Sequence, residues 1–146
     1  MDRSARFKPV QRHADYQLRD AALALSHAHE ELRRQEANLQ QLVDYRDEYG
    51  RDFRLHGESA HDVAWLRNYQ VFLAQLNRGV EQQGAVVKEC QRRVDAAREK
   101  WEAASQKARA LDNAVERIRR DEQRGEQRRE QRLADDRVPG DSGTKD

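Results

Sequence analysis

Histidine, cysteine and carboxylate side chains are the groups of this 146-residue chain that could act as metal ligands, nucleophiles or acid–base catalysts. His27 and His29 are two residues apart, so on a helix they point to different sides and do not converge on one ion. The one cysteine, Cys90, has the position of a small buried hydrophobic residue, and the many carboxylates are expected on solvated helix faces. We therefore predict no metal site, no cofactor and no catalytic residue, and the chain is not expected to be an enzyme.

Arginine is the next residue type that could recognise a partner. Residues 117–132 include seven arginines and four acids, but no aromatic residue for base stacking, so a solvated helix is preferred over an RNA-binding segment. The whole chain has 28 basic and 27 acidic residues, a balance that attracts neither nucleic acid nor an anionic membrane. No run approaches the roughly 18 apolar residues of a spanning helix. We expect no nucleic-acid binding, no direct membrane insertion and a cytosolic location.

Two long helices must position these side chains. No proline occurs between Pro9 and Pro139, and apolar residues recur in alternating steps of three and four, the heptad spacing of a coiled coil. The first seam consists of Ala14, Leu18, Ala21, Leu25, Ala28, Leu32, Gln35, Leu39, Leu42, Arg46, Tyr49 and Phe53. The second consists of Leu66, Tyr69, Leu73, Leu76, Val80, Gln83, Val87, Cys90, Val94, Ala97, Trp101, Ala104, Ala108, Leu111, Val115 and Ile118. The sequence predicts an all-α fold, a long antiparallel two-helix coiled-coil hairpin.

Helix-ending signals lie between the two seams. Gly50 and Gly57 suit the end of a helix, and residues 59–62 resemble a capping box that starts the next one. The predicted organisation is an N-terminal tail (1–9), a first helix (10–54), a turn (55–61), a second helix (62–134) and a disordered tail (135–146).

The position of the turn sets the register of the helix pair. A turn centred on Gly57 places Ala28 opposite Val87, and Gln11 opposite Ala104. The second seam continues beyond that point, so the second helix is expected to overhang the first. Its uncovered apolar stripe would be occupied by another protein or by a second copy of the chain. The stripe comprises Ala108, Leu111, Val115 and Ile118.

Six of the nine aromatic residues of the chain are concentrated near the predicted turn. They are Tyr45, Tyr49, Phe53, Trp65, Tyr69 and Phe72. Tyr45, Trp65 and Phe72 fall beside the seam, where charged residues are expected. Large aromatic residues on a rigid helical surface are typical anchors of a protein contact. The alternative, that the rings fold over a wide seam, stays open at this point.

Three runs together resemble one protein family, FliJ of the bacterial flagellar type III export apparatus: LVDYRDEYG (42–50), NYQVFLAQLNRGVEQQ (68–83) and VDAAREKWEAASQKARALDNAVER (94–117). The resemblance covers roughly residues 5–120. It implies a cytoplasmic antiparallel helix pair similar to the central stalk of rotary ATP synthases, located peripherally at the cytoplasmic face of the inner membrane, at the flagellar base. The implied partners are the hexameric export ATPase, whose ring such a stalk would enter, the export gate membrane protein and the chaperones of late export substrates.

The resemblance also implies two sets of site residues. The set for the export gate is Leu42, Tyr45, Tyr49, Phe72 and Leu76. The set for the ATPase ring, on the expected overhang, is Arg109, Leu111, Val115 and Ile118. Whether Leu42, Tyr49 and Leu76 are seam residues or exposed contacts is left open by the heptad pattern. Two alternatives to an export stalk also remain: a generic coiled-coil scaffold that self-associates, and the equivalent stalk of a virulence-type injectisome.

Overall fold

Two long helices make up almost all of the chain. The computed structural model describes residues 3–56 and 63–137, which form a 3-10 helix (Arg3–Phe7), helix α1 (Lys8–His56) and helix α2 (Val63–Arg137). The fold is all-α, with the two long helices packed against each other, as the heptad spacing predicted. The proposed capping box at residues 59–62 and the chain from residue 138 onward lie outside the described residues.

The helix bounds follow from where helix-breaking residues occur. Pro9 is in the first turn of α1, where a missing backbone N–H costs no intrahelical hydrogen bond. Helix α1 continues through Gly50 and ends at His56, so Gly50 does not end it. Residues 3–7, expected to belong to a tail, form the 3-10 helix, and Ser4 within it is buried.

Contacts divide the chain into two units, each of which pairs a part of α1 with a part of α2. One unit is Ala21–Trp101. Its core is formed by Leu32, Cys90 and Val94, of which Val94 is fully buried. Partly buried hydrophobic residues pack around these three: Leu25, Ala28 and Val87. All six are seam residues, so the seams do form the core of this unit, and Cys90 is a buried free cysteine within it.

A polar pair within this unit fixes the register. The Gln83 side-chain amide donates to Oε1 of Gln35 at 2.8 Å and to the Gln35 carbonyl oxygen at 3.0 Å. Gln35 therefore faces Gln83, and not Val80, which the predicted register placed opposite it. That register is wrong by about three residues because α1 ends at His56 and α2 begins at Val63, which moves the centre of the connection beyond Gly57.

The other unit consists of Met1–Asp20 and Glu102–Asp146. Within it, Ala14, Ala108 and Val115 are buried, with 4%, 5% and 3% of their surface exposed. The expected uncovered stripe on α2 is therefore covered, and that prediction is wrong. The physical reason is that the first residues of the chain pack within this unit instead of forming a tail. The backbone N–H of Ser4 donates a hydrogen bond to Glu122, and the side-chain amide of Gln11 donates one to Asp112.

Helix α2 continues beyond the covered stripe to Arg137. Every residue from 126 to 137 is exposed, so this last part of α2 is the only part that retains the character of an overhang within the described chain. Leu133 is its one large hydrophobic residue and is 55% exposed. The overhang is therefore much shorter and more polar than the sequence indicated.

Candidate functional site

The six aromatic residues near the ends of α1 and α2 form one connected cluster in the Ala21–Trp101 unit, hereafter the aromatic cluster. Phe53 stacks on Tyr69 with ring centroids 3.8 Å apart and on Trp65 at 5.4 Å. Tyr49 stacks on Tyr69 at 4.9 Å. These short contacts join α1 to α2 and stabilise the end of this unit, because aromatic pairs contribute about 0.5–1.5 kcal/mol each beyond area burial.

Helical spacing explains why these rings meet. Tyr45, Tyr49 and Phe53 are four residues apart on α1, which places them on one face. Tyr69 and Phe72 are three apart on α2 and also share a face. When the two faces pack antiparallel, the rings interleave into a continuous row.

Tyr45 is at the exposed edge of the cluster. Its ring contacts Phe72 edge-on, with centroids 6.3 Å apart, and half of its surface remains exposed. Phe72 also packs edge-on against Tyr49, with ring centroids 4.8 Å apart, and this contact holds the Phe72 ring against α1. Tyr45 is therefore an exposed ring that packs on a half-buried ring, Phe72.

The structure places the predicted export-gate residues together. Leu42, Tyr49, Phe72 and Leu76 are all half-buried, and Tyr45 is exposed beside them. Leu42, Tyr49 and Leu76 therefore occupy seam positions and keep part of each side chain accessible. We call the five residues Leu42, Tyr45, Tyr49, Phe72 and Leu76 the aromatic surface.

Helix α2 extends this surface with a row that holds no charged residue. The row runs in three- and four-residue steps through Phe72, Gln75, Gly79, Gln82 and Val86. Val86 is 42% exposed, and a Cβ added at Gly79 would meet no atom within 4 Å. In a chain with 38% charged residues, five successive uncharged positions beside an exposed tyrosine indicate a surface suited to contact with another protein.

Burial also changes the acidity of one phenol in the cluster. Desolvation raises the pKa of Tyr49 above its ordinary value of 10.0, and the neighbouring phenols of Tyr69 and Tyr45 raise that pKa further. The Tyr49 hydroxyl therefore stays protonated and neutral at physiological pH. One turn before Tyr49, the half-buried Arg46 pairs with Asp47 at 3.6 Å, so an ion pair lies beside this phenol.

Sequence reasoning misassigned one residue at this end of the unit. Leu66 was placed in the seam, but it is 41% exposed, whereas Trp65 is half-buried and stacks on Phe53. The expectation that Leu66 occupies the seam is wrong because the larger indole fills the space beside Phe53. The sequence signal that favoured Trp65 over Leu66 as the inward residue was the presence of other aromatic residues in the neighbouring helical turns.

The residues expected to face the ATPase ring do not form a common surface. Arg109 is exposed, but Val115 is buried, and Leu111 and Ile118 are half-buried. The apolar members of this set pack inside the unit formed with the first twenty residues. Arg109 is the one exposed member of the set, Leu111 and Ile118 keep part of their surface accessible, and the nearby arginines Arg117, Arg119 and Arg120 are exposed as well.

Over residues 3–56 and 63–137, no group of three or more histidine, cysteine, aspartate or glutamate side chains is arranged to hold a metal ion. Neither α1 nor α2 contains a stretch long and apolar enough to cross a bilayer.

Comparison with known proteins identifies a matching family. A family model described as "Flagellar FliJ protein" matches residues 3–138, which is nearly the whole chain. Neither the curated proteins nor the solved structures gave a significant match. The matched range includes both helices and the aromatic surface.

Proposed function

The chain belongs to the FliJ family, and from that premise we propose that it is an accessory stalk and adaptor that contacts the export gate through the aromatic surface. Family membership makes it a component of the flagellar export apparatus, in a family of structural or chaperone-like proteins. The observation that carries the proposed gate contact is the exposed Tyr45 ring, supported edge-on by Phe72.

The geometry of the aromatic surface suits a protein partner. A tyrosine has only two rotatable side-chain bonds, and Phe72 already limits the positions of the Tyr45 ring, so little side-chain entropy is lost on binding. The half-buried Leu42 and Leu76 provide apolar area around the ring. Central aromatic anchors with a surrounding apolar rim are the arrangement in which a few residues provide most of the binding energy.

Site-specific photocrosslinking in cells tests this proposal. A photoreactive phenylalanine analogue replaces Tyr45 in one variant and Tyr16 in a matched control, since Tyr16 is also an exposed α1 tyrosine, with 68% of its surface accessible, but lies outside the aromatic cluster. We expect a crosslink to the export gate protein from position 45 and none from position 16. Equal crosslinking from both positions, or none from position 45 alongside a normal expression level, would contradict the gate contact.

A second contact, with the export ATPase, is proposed for the terminal part of α2. The support is the set of exposed arginines in this part, of which Arg109 and Arg117 have no ion pair among the described residues, whereas Arg120 pairs with Glu116 at 3.5 Å. Exposed guanidinium groups bind carboxylates of a partner at little desolvation cost. Arg109→Glu and Arg117→Glu together should weaken the formation of ATPase hexamers in sedimentation velocity, and Arg34→Glu, on α1, is the control. Unchanged hexamer formation would refute this contact.

The sequence left two alternative functions open: a generic scaffold that self-associates, and the equivalent stalk of an injectisome. Self-association as a generic scaffold was inferred from an uncovered stripe on α2, and that stripe is covered within the chain. The matching family is described as flagellar, which favours the flagellar export apparatus over an injectisome. A role with the chaperones of late substrates and a peripheral position at the inner membrane are part of the proposal through the family alone, and no residue is assigned to them.

A further inference from the structure

An open groove runs along one side of α1 within the Ala21–Trp101 unit, hereafter the α1 groove. Its volume is about 610 Å³, and its lining includes Ala22, Leu25, His29, Leu32, Arg33 and Glu36. From Ala22 to Glu36 the lining positions follow one another in steps of three and four residues, the spacing of one helix face. They span four turns of α1, roughly 21 Å at 1.5 Å per residue. A helix of similar length therefore matches the groove in extent.

The α2 side of the same edge is low and uncharged. Gln83 donates a hydrogen bond to Gln35 at 2.8 Å. Because the two helices are antiparallel, a step of one residue turns both chains toward the same side, so Glu36 and Gly84 lie on one edge. A Cβ added at Gly84 would meet no atom within 4 Å. The positions one heptad before and after Gly84 are uncharged as well, Asn77 and Gln91. Charged residues are usual beside a coiled-coil seam, so this edge is open to a further helix.

Two charged side chains at the groove have no ion-pair partner within the described part of the chain. They are Arg33 and Glu36, both exposed. The neighbouring charges differ in this respect, since Arg34 pairs with Glu31 at 3.4 Å. Exposed charges pair with a partner at small desolvation cost. An acid and a base with matching spacing on a single helix would complement Arg33 and Glu36.

We propose that the α1 groove binds an amphipathic helix of another protein, which packs along this edge as a third helix. The bound helix presents apolar residues to Leu25 and Leu32, an acidic residue to Arg33 and a basic residue to Glu36. Glu36 and Tyr45 are nine positions apart, which at about 100° per residue places them on opposite sides of α1. The groove is therefore separate from the aromatic surface, and the inference does not depend on the proposed gate contact.

Titration of the full chain with a synthetic helix tests the groove. The probe is a fluorescent, side-chain-crosslinked helical peptide of about 16 residues, with leucines in steps of three and four and a glutamate and a lysine beside them. Ala22→Trp fills one end of the groove, and Ala24→Trp, at an exposed alanine outside it, is the matched control. In fluorescence anisotropy the wild type and Ala24→Trp should bind equally, and Ala22→Trp about tenfold more weakly with unchanged helical content. Equal binding by all three proteins, or no binding to the wild type, would overturn the inference.

An exchange of charges tests the role of Arg33. A second peptide carries lysine in place of its glutamate, and it should bind the wild type up to about fivefold more weakly because two cations then meet. Arg33→Glu should restore this loss, whereas Arg34→Glu, whose wild-type side chain pairs with Glu31, should not. Equal effects of the two variants would refute the proposed chemistry of the bound helix.

Sedimentation equilibrium of the chain without peptide distinguishes a partner helix from a second copy. The wild type, Ala22→Trp and Ala24→Trp should have the same molecular mass in solution. A dimer that only Ala22→Trp disrupts would assign the groove to a second copy and overturn the inference. Tyr45→Ala should bind the peptide like the wild type, so a failed gate contact leaves this result unchanged, and a loss of peptide binding in Tyr45→Ala would contradict a separate groove.

Discussion

Separate replacement of Tyr45 and Tyr49 by alanine distinguishes a ring that binds a partner from a ring that holds the fold. Tyr49 makes two close ring contacts, at 4.9 Å to Tyr69 and 4.8 Å to Phe72. Each pair is worth about 0.5–1.5 kcal/mol. With the loss of buried ring area, Tyr49→Ala should lower the free energy of unfolding by about 3 kcal/mol, at the low end of aromatic-to-alanine changes in protein cores.

Tyr45 makes only the longer contact to Phe72, at 6.3 Å, and is half exposed. Tyr45→Ala should therefore lower the free energy of unfolding by about 1 kcal/mol or less. Urea unfolding followed by circular dichroism at 222 nm measures both values. Equal destabilisation by the two variants would refute this reasoning, because it would make the Tyr45 ring part of the core and not an anchor held out for a partner.

Three further predictions follow from individual residues. Replacing Gln35 and Gln83 together by leucine should raise the free energy of unfolding but admit a second register, because a half-buried polar pair favours one alignment. The second register would be seen as extra crosslinks between engineered cysteines on α1 and α2. Gly79→Ala should stabilise α2 by up to about 1 kcal/mol in urea unfolding, since the added Cβ meets no atom within 4 Å. The raised pKa of Tyr49 means that folding favours its protonated form, so this contribution to stability is present below pH 10.0 and is lost as the pH rises through the folded-state pKa. Tyr49→Phe should therefore show a flatter loss of stability than the wild type in alkaline urea titrations, and an equally steep loss would contradict the assignment.

The helices and most of their inner faces could be predicted because heptad spacing is a local property of the sequence. Leu32, Cys90 and Val94 were placed in the seam by their three- and four-residue steps, and they form the core of their unit. The register is a different kind of quantity, since it depends on the length of the connection between the helices. Gln35 and Gln83, two of the few polar seam residues, carried a signal for it: pairing them with each other gives the observed alignment.

The packing of the first twenty residues in one unit with the later part of α2 was not predicted, for a related reason. The inward residues of this segment include Ser4 and Gln11, which do not produce an apolar repeat, so the pattern appeared to stop near Ala14. Their role depends on partners more than a hundred residues away, Glu122 and Asp112. Clustering of large rings near the turn is visible in the sequence, whereas the accessibility of each ring required the packed structure. The assignment of the aromatic surface to the export gate stays a prediction.

The central claim is that the aromatic surface binds the export gate, and isothermal titration of the purified cytoplasmic part of the gate protein tests it most directly. The wild type and the Tyr16→Ala control should bind with the same affinity. Tyr45→Ala should bind at least tenfold more weakly, as expected for a central aromatic anchor, while its helical content is unchanged. Equal affinity of Tyr45→Ala and the wild type would contradict the account.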